Sequence, residues 1–403
     1  MDRSRVPGSR PVVILNMHYS GLGIARDLAG TGAAVHGLSF DPSFFGNYSK
    51  HCRFVVSPDT ETQPEQCLDF LLDLASRCEQ RPLLLVTRDH DIDFFLRFRS
   101  ELDRVFVVPY PSSETLSLIM DKNRLFARAR ELGIRCPREC VVRSKEELVH
   151  NRERLVFPCI VKPVRASQWR QRAMWRIVRR KVVKIDSYAE LEAFYRTIEP
   201  HDPLVQIEEY IPGPDSDLVI FGSYRNPATG VLACFTARKL IQYPSGSGTG
   251  VAVQSRRITE IEGPSKKLLD GLGYFGISEI EYKRDGRDGS YALIEMNPRH
   301  WDQHSLGAAS GVNLSRALYR DLLGEPPGEA VQADREVVWL AEEGYFRSLL
   351  SNLRGGLYPW SLYAAALRGR KVFAVFDRHD LKPIVHLLRT TARQTIRQAF
   401  AKS

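Results

Sequence analysis

Two carboxylates and a carboxamide, Glu281, Glu295 and Asn297, are spaced so that one β-hairpin gathers them. Residues 276–282 read as one strand and 292–297 as its partner, and Asp285, Gly286, Arg287, Asp288 and Gly289 supply a turn between them. Glu295 and Asn297 stand two apart, so a strand points both to the same face. Hard oxygen donors of this kind suit a magnesium ion carrying a nucleotide, because that ion leaves other positions to phosphate oxygens and water. Arg299, two residues on, would place a fixed guanidinium beside the same phosphates. Glu-x-Asn is a short motif, and taken alone it also describes an edge hairpin with a solvated acidic face.

Lysines occur upstream where a phosphate site needs them. Lys122 opens a helix that runs to Leu132 and Gly133, and Lys162 leaves an apolar strand, Phe157–Val161, just before Pro163. A second basic strand holds Lys181 and Lys184, and Val205–Ile211 runs into a turn at Pro212 and Gly213 with Asp215 and Asp217 beyond. In this order of parts the chain resembles the ATP-grasp superfamily over roughly residues 115–325, and in detail its carboxylate–amine ligases, among them D-alanine and D-aspartate ligases, and biotin carboxylase.

The resemblance implies a role for each matching residue. Lys122 and Lys162 would hold the ATP phosphates, while Glu208, Glu209, Tyr210 and Ile211 would form the hinge between nucleotide-binding lobes, with backbone groups of Glu208 and Ile211 on the adenine edge. Asp215 matches the acid that binds ribose hydroxyls, and Glu281, Glu295 and Asn297 match the ligands of magnesium, or manganese in its place. Arg299 matches the arginine that stabilises the anionic acyl intermediate. Arg238 and Lys239, before the loop Ser245–Gly250, would add charge near the γ-phosphate. The implied activity is ATP-dependent joining of a carboxylate to an amine through an acylphosphate, releasing ADP and phosphate. Amino acids or peptide-like acids are the substrate class, and homo-oligomers are compatible with it. A catalytically impaired ATP-binding scaffold, an ATP-dependent carboxylase and a nicotinamide enzyme are the alternatives.

One segment departs from the family. Where a glycine-rich lid usually follows the second lysine, residues 164–176 contain no glycine, so phosphate contacts would fall to Ser167 and the arginines. Trp169 and Trp175 alternate there with Arg165, Arg170, Arg172 and Arg176, a mixture also found in single-strand nucleic-acid binders. A lid facing a polyanionic nucleotide explains those arginines more simply, and nucleic acid is not the expected partner.

The elements that must position these residues form an α/β and α+β chain. Residues 1–114 read as a Rossmann-like open parallel lobe, 115–330 as a two-lobed ATP-grasp domain with its lid lobe at about 135–210, and 331–403 as a basic C-terminal extension. In the first lobe, strands are expected at Val12–Leu15, Ala34–Phe40, Leu83–Thr87 and Val105–Val108, and helices at Gly23–Gly30, Pro64–Arg77 and Ile92–Arg99. Gly21 and Gly23 begin a dinucleotide fingerprint, but Arg26 stands at its third glycine. Loops after strands offer His18, Tyr19, Ser20, Arg88, Asp89 and His90 as substrate contacts or helix caps. His300 and His304 offer substrate contact or packing.

Composition bounds the rest. The chain has 403 residues, 43% of them hydrophobic, enough for two to four lobes. Seven cysteines lack any Cys-x-x-Cys pair, and the apolar run at Val12–Leu15 is too short for a signal peptide, so a reducing cytoplasm is the expected setting. From Gly344 onward there are eleven Lys/Arg and two acids, and Ile384–Ala401 combines Ile384, Leu387, Leu388, Ile396 and Phe400 with Arg389, Arg393 and Arg397. Such a helix either packs on the body, the reading preferred here, or lies on an anionic membrane.

Overall fold

The computed structural model describes residues 9–164, 169, 174, 177–178, 182–246, 248–328 and 330–400, with 394–400 described through their backbone alone. The chain divides into two compact units. One comprises Met1–Asp121, Asp215–Glu281 and Glu295–Ser403, the other Lys122–Pro214 and Tyr282–Ile294.

In the first unit, β1 (Val12–Leu15) is buried along its whole length, as a strand covered on both faces must be. It lies inside a parallel sheet of order β3-β2-β1-β4, with β2 at Val35–Ser39, β3 at Arg53–Val56 and β4 at Leu83–Leu85. The expected strand at Val105–Val108 is reduced to one parallel bridge between Leu83 and Val107, because a helix over Arg99–Val105 occupies its start. Edge strand β3 had no place in the sequence reading; its apolar run, Phe54–Val56, is only three residues long, too short for periodicity to mark it as a strand.

The second sheet has seven strands in the order β13-β12-β9-β10-β11-β14-β15. These are β9 (Leu218–Asn226), β10 (Val231–Tyr243), β11 (Thr249–Ser255), β12 (Gly276–Arg284), β13 (Tyr291–Asn297), β14 (Val337–Leu340) and β15 (Arg370–Phe373). The chain beyond 331 is therefore more than an appendage, since β14 and β15 extend this sheet and all of β14 is buried. Helix Lys382–Phe400 packs through Ile384 and Leu387, as a docked helix should, whereas Leu388 faces solvent. The side chains of Ile396, Arg397 and Phe400 lie outside the described residues.

The second unit is built on an antiparallel sheet of order β5-β8-β6-β7, with β5 at Glu139–Val142, β6 at Cys159–Pro163, β7 at Val183–Ile185 and β8 at Val205–Glu209. Of the glycine-free segment after Lys162, Ser167 and the arginines lie outside the described residues. Trp169 is buried in the unit's core and its indole donates to Asp202 Oδ2 at 3.1 Å, so it has no face to offer a nucleobase.

Candidate active site

Alternation along β12 and β13 sets the site in the first unit. Residues two apart share a face, so Glu279 lines up with Glu281 on β12, and Glu295 with Asn297 on β13. Buried Lys239 on β10 reaches Glu281, with Nζ to Oε1 at 2.6 Å. The register between β10 and β11 slips just after Lys239, an irregularity of the sort that re-aims side chains beside functional sites. Burial opposes the lysine's charge, but Glu281 and Glu279 outweigh it and hold the ammonium above the usual lysine range.

Glu279 is the residue that sequence reasoning missed. It is 3% exposed, Oε2 accepts from Asn297 Nδ2 at 2.9 Å, and Oε1 is buried with no hydrogen-bond partner. Burial and the charge of Glu281 push its carboxyl up to about 8. Strand period gave the available signal, because Glu279 and Glu281 are equally placed to face Asn297. Among the described residues no three His, Cys, Asp or Glu side chains are gathered to hold a metal unaided.

Lys239 and its neighbour Arg238 separate, since adjacent strand residues point to opposite faces. Arg238 Nε donates to Ser216 O and its guanidinium lies 3.7 Å from Asp217, so of the two cations expected near the γ-phosphate Lys239 meets the acids of β12 and Arg238 meets Asp217. Asp215 Oδ2 accepts from Gly246 N at 2.8 Å, from Ser245 Oγ at 3.2 Å and from the Tyr358 hydroxyl, so this carboxylate organises the glycine loop.

Arg299 is held on three sides. Nε donates to Asp89 Oδ1 at 2.7 Å, Nη1 to His300 O at 3.2 Å, and Nη2 lies 3.5 Å from Asn297 Oδ1. Of the loop candidates, Asp89 thus orients an arginine, whereas Arg88 is consumed by Asp91, Asp59 and Thr60. His90 lies 3.6 Å from Glu61. Ser20 Oγ donates to Asp302 at 2.9 Å, and His18 sits among Tyr19, Phe44 and Phe45, where burial lowers its pKa.

His300 and His304 are packing residues. His304 Nδ1 meets Trp301 O at 2.7 Å and Nε2 lies 3.4 Å from Asp27, while His300 Nε2 meets Ser315 Oγ, which donates to the same Asp27 carboxylate at 3.2 Å. A Cβ on Gly23 would come within 2.7 Å of His304, and one on Gly21 within 2.2 Å of Asn16 O. These glycines lie inside helix Tyr19–Asp27 and permit close packing, which removes the basis for a dinucleotide fingerprint.

In the second unit Glu208 gathers both lysines, with Lys162 Nζ at 2.5 Å and Lys122 Nζ at 3.4 Å. Burial opposes ionisation of Glu208, but the two lysines prevail and its pKa is lowered; burial and Lys122 lower that of Lys162. Glu208 is registered against Glu139 on one side and Ile160 on the other. Its side chain meets the two lysines, and its backbone, expected at the adenine edge, lies in the middle strand of the ladder. Glu209 binds Arg287 and accepts from Arg138 N at 3.2 Å, and Ile211 is buried.

Comparisons place this geometry among known proteins. No protein-family model matches the chain. A D-aspartate ligase of Enterococcus faecium is 23% identical over 309 residues, 73% of each chain. A D-alanine–D-alanine ligase of Pseudomonas entomophila is 26% identical over 196 residues, 47% of this chain and 58% of that one. Among solved structures, the ADP complex of an N5-carboxyaminoimidazole ribonucleotide synthetase covers 88% of both chains with TM-score 0.63 and 16% identity.

Proposed function

We propose that this chain, similar to D-aspartate and D-alanine–D-alanine ligases, is an ATP-grasp carboxylate–amine ligase that uses ATP to join a small carboxylic acid to an amine, forming an amide with release of ADP and phosphate. The observation that supports it best is the buried cluster of Glu279, Glu281, Asn297 and Lys239, with one carboxylate oxygen left without a partner.

Such a cluster fits magnesium. An orphaned hard oxygen on a carboxyl whose pKa is raised by burial and by Glu281 is the state a divalent cation relieves. Glu279, Glu281, Glu295 and Asn297 would have to draw together to hold the ion, with phosphate oxygens completing its shell, and when bound it neutralises phosphate charge. Lys122 and Lys162 would leave Glu208 for phosphate oxygens, and Asp215 would keep the glycine loop in shape. A carboxylate is a poor electrophile because oxide is a poor leaving group. Attack of the substrate carboxylate oxygen on the γ-phosphate expels ADP and gives an acylphosphate; the amine then attacks its carbonyl carbon, phosphate leaves and the amide forms as the nitrogen loses a proton, and Arg299, aimed by Asp89, would offset the developing oxyanion. Amino acids or peptide-like acids are the proposed substrates. The seven free cysteines suit a reducing compartment such as the cytoplasm.

Incubation with ATP, magnesium and a panel of amino acids should yield ADP and phosphate dependent on the acid; AMP with pyrophosphate would reject the acylphosphate route. Glu295→Gln should cut phosphate release by at least ~100-fold, the scale of losing one electrostatic contact to the transition state. Activity within a few-fold of wild type would make that hairpin position structural.

A further inference from the structure

Helix Glu342–Gly355 is built the wrong way round for a protein surrounded only by water. Its inward side carries Ser348 and Asn352, both buried: Ser348 Oγ bonds the Tyr363 hydroxyl at 2.9 Å, and Asn352 brackets the backbone of Tyr358 at 2.6 and 3.1 Å. Tyr345 and Leu349 are only partly buried beside them. The outward side carries Phe346, Leu350 and Leu353, spaced i, i+4, i+7 on one face, with Phe346 59% and Leu353 65% exposed. Leu357, Trp360 and Leu367 continue the exposed apolar residues through the following turn and helix Trp360–Ala366. A run of large exposed apolar side chains such as this marks an interaction surface rather than ordinary scatter.

Charge decides what covers it. The helix has acids only in its first turn, where Glu342 accepts from the backbone of Val375 and Phe376 and Glu343 pairs with Arg347 at 2.6 Å. From Gly344 to Phe376 there is no Asp or Glu, and Arg354, Arg368, Arg370 and Lys371 add four further cations. A second copy would bring the same cations against themselves in a two-fold contact, where like charges repel. Leucines with phenylalanine and tryptophan beside arginines match an anionic bilayer surface: the apolar groups enter the acyl boundary and the cations meet headgroup phosphates. No helix among the described residues is long and apolar enough to cross a membrane, so the contact would lie along the surface. We propose that the outward face of residues 346–360 docks the protein onto anionic lipid membranes.

The full chain is tested by sedimentation with vesicles of equal parts phosphatidylglycerol and phosphatidylcholine, against phosphatidylcholine alone. Binding is expected only to the anionic vesicles and should weaken as salt screens it. The triple variant Phe346→Ser, Leu350→Ser, Leu353→Ser alters side chains exposed to solvent, so it should keep the melting temperature and lose at least ~10-fold in vesicle partition. Arg354→Gln should weaken partition about five-fold. Absence of anion-dependent binding, or a triple variant that sediments like wild type, would overturn the proposal. So would a dimer in sedimentation velocity that the triple variant dissolves, since the face would then be covered by a second copy. Loss of vesicle binding confined to Leu381→Ser, Val385→Ser, Leu388→Ser, a parallel exposed stripe on helix Lys382–Phe400, would move the contact there and overturn it as well.

Discussion

Glu279→Gln is expected to abolish most nucleotide-dependent phosphate release, by at least ~100-fold, while making the metal-free protein more stable at alkaline pH. The two effects share one cause. Burial and Glu281 raise the Glu279 carboxyl to about 8, so the folded protein binds this proton more tightly than the unfolded chain does. The resulting stability is present in full below the ordinary carboxyl range and is lost as pH rises through about 8. Glutamine is permanently neutral and still accepts from Asn297, so it should flatten the fall in melting temperature between pH 6 and 9, a difference on the order of a few kcal/mol at the alkaline end. At pH 5 the two proteins should melt together. Parallel pH profiles in chelator would show that Glu279 does not hold its proton in the folded state.

Glu281→Gln should go the other way, losing both activity and stability. Lys239 is buried with its ammonium 2.6 Å from Glu281, and removing that carboxylate's charge leaves the cation with Glu279, whose carboxyl is raised to about 8, and the weaker influence of Glu295. Breaking one side of a buried pair costs about 3–5 kcal/mol, mostly the penalty of the charge left behind. Lys239→Met should cost a similar amount for the converse reason, since two carboxylates then face each other without their cation. The double variant should be less destabilised than the sum of the singles by about 1–3 kcal/mol in urea unfolding. Strict additivity would mean that Lys239 and Glu281 do not depend on one another.

The sequence carried the local parts of this site well. Glu295 and Asn297 share a face because strands repeat every two residues, and Lys162 leaves the end of an apolar strand; both follow from nearest neighbours along the chain. β1 was legible for the same reason, as an apolar run with no polar face to lose. Edge strand β3 was not, because four residues are too few for a period to show, whatever their polarity.

What the sequence by itself determined is therefore the set of residue types and their local phase: acids and an amide on one hairpin, lysines at a strand end and a helix start, and a basic stretch after Gly344 without acids up to Phe376. Tertiary structure alone decided the partners. Local phase makes Glu279 and Glu281 equivalent, and Lys239 approaches Glu281 from β10 with β9 standing between the two strands. Arg238 goes to Asp217 on the other face, His304 goes to Asp27 across a helix contact, and helix Glu342–Gly355 turns its serine and asparagine inward because Tyr358 and Tyr363 are there to bond them. Pairings of this kind depend on strand order and on which faces pack, and those arise from burying apolar surface over the whole chain, a sum that no short window of sequence contains.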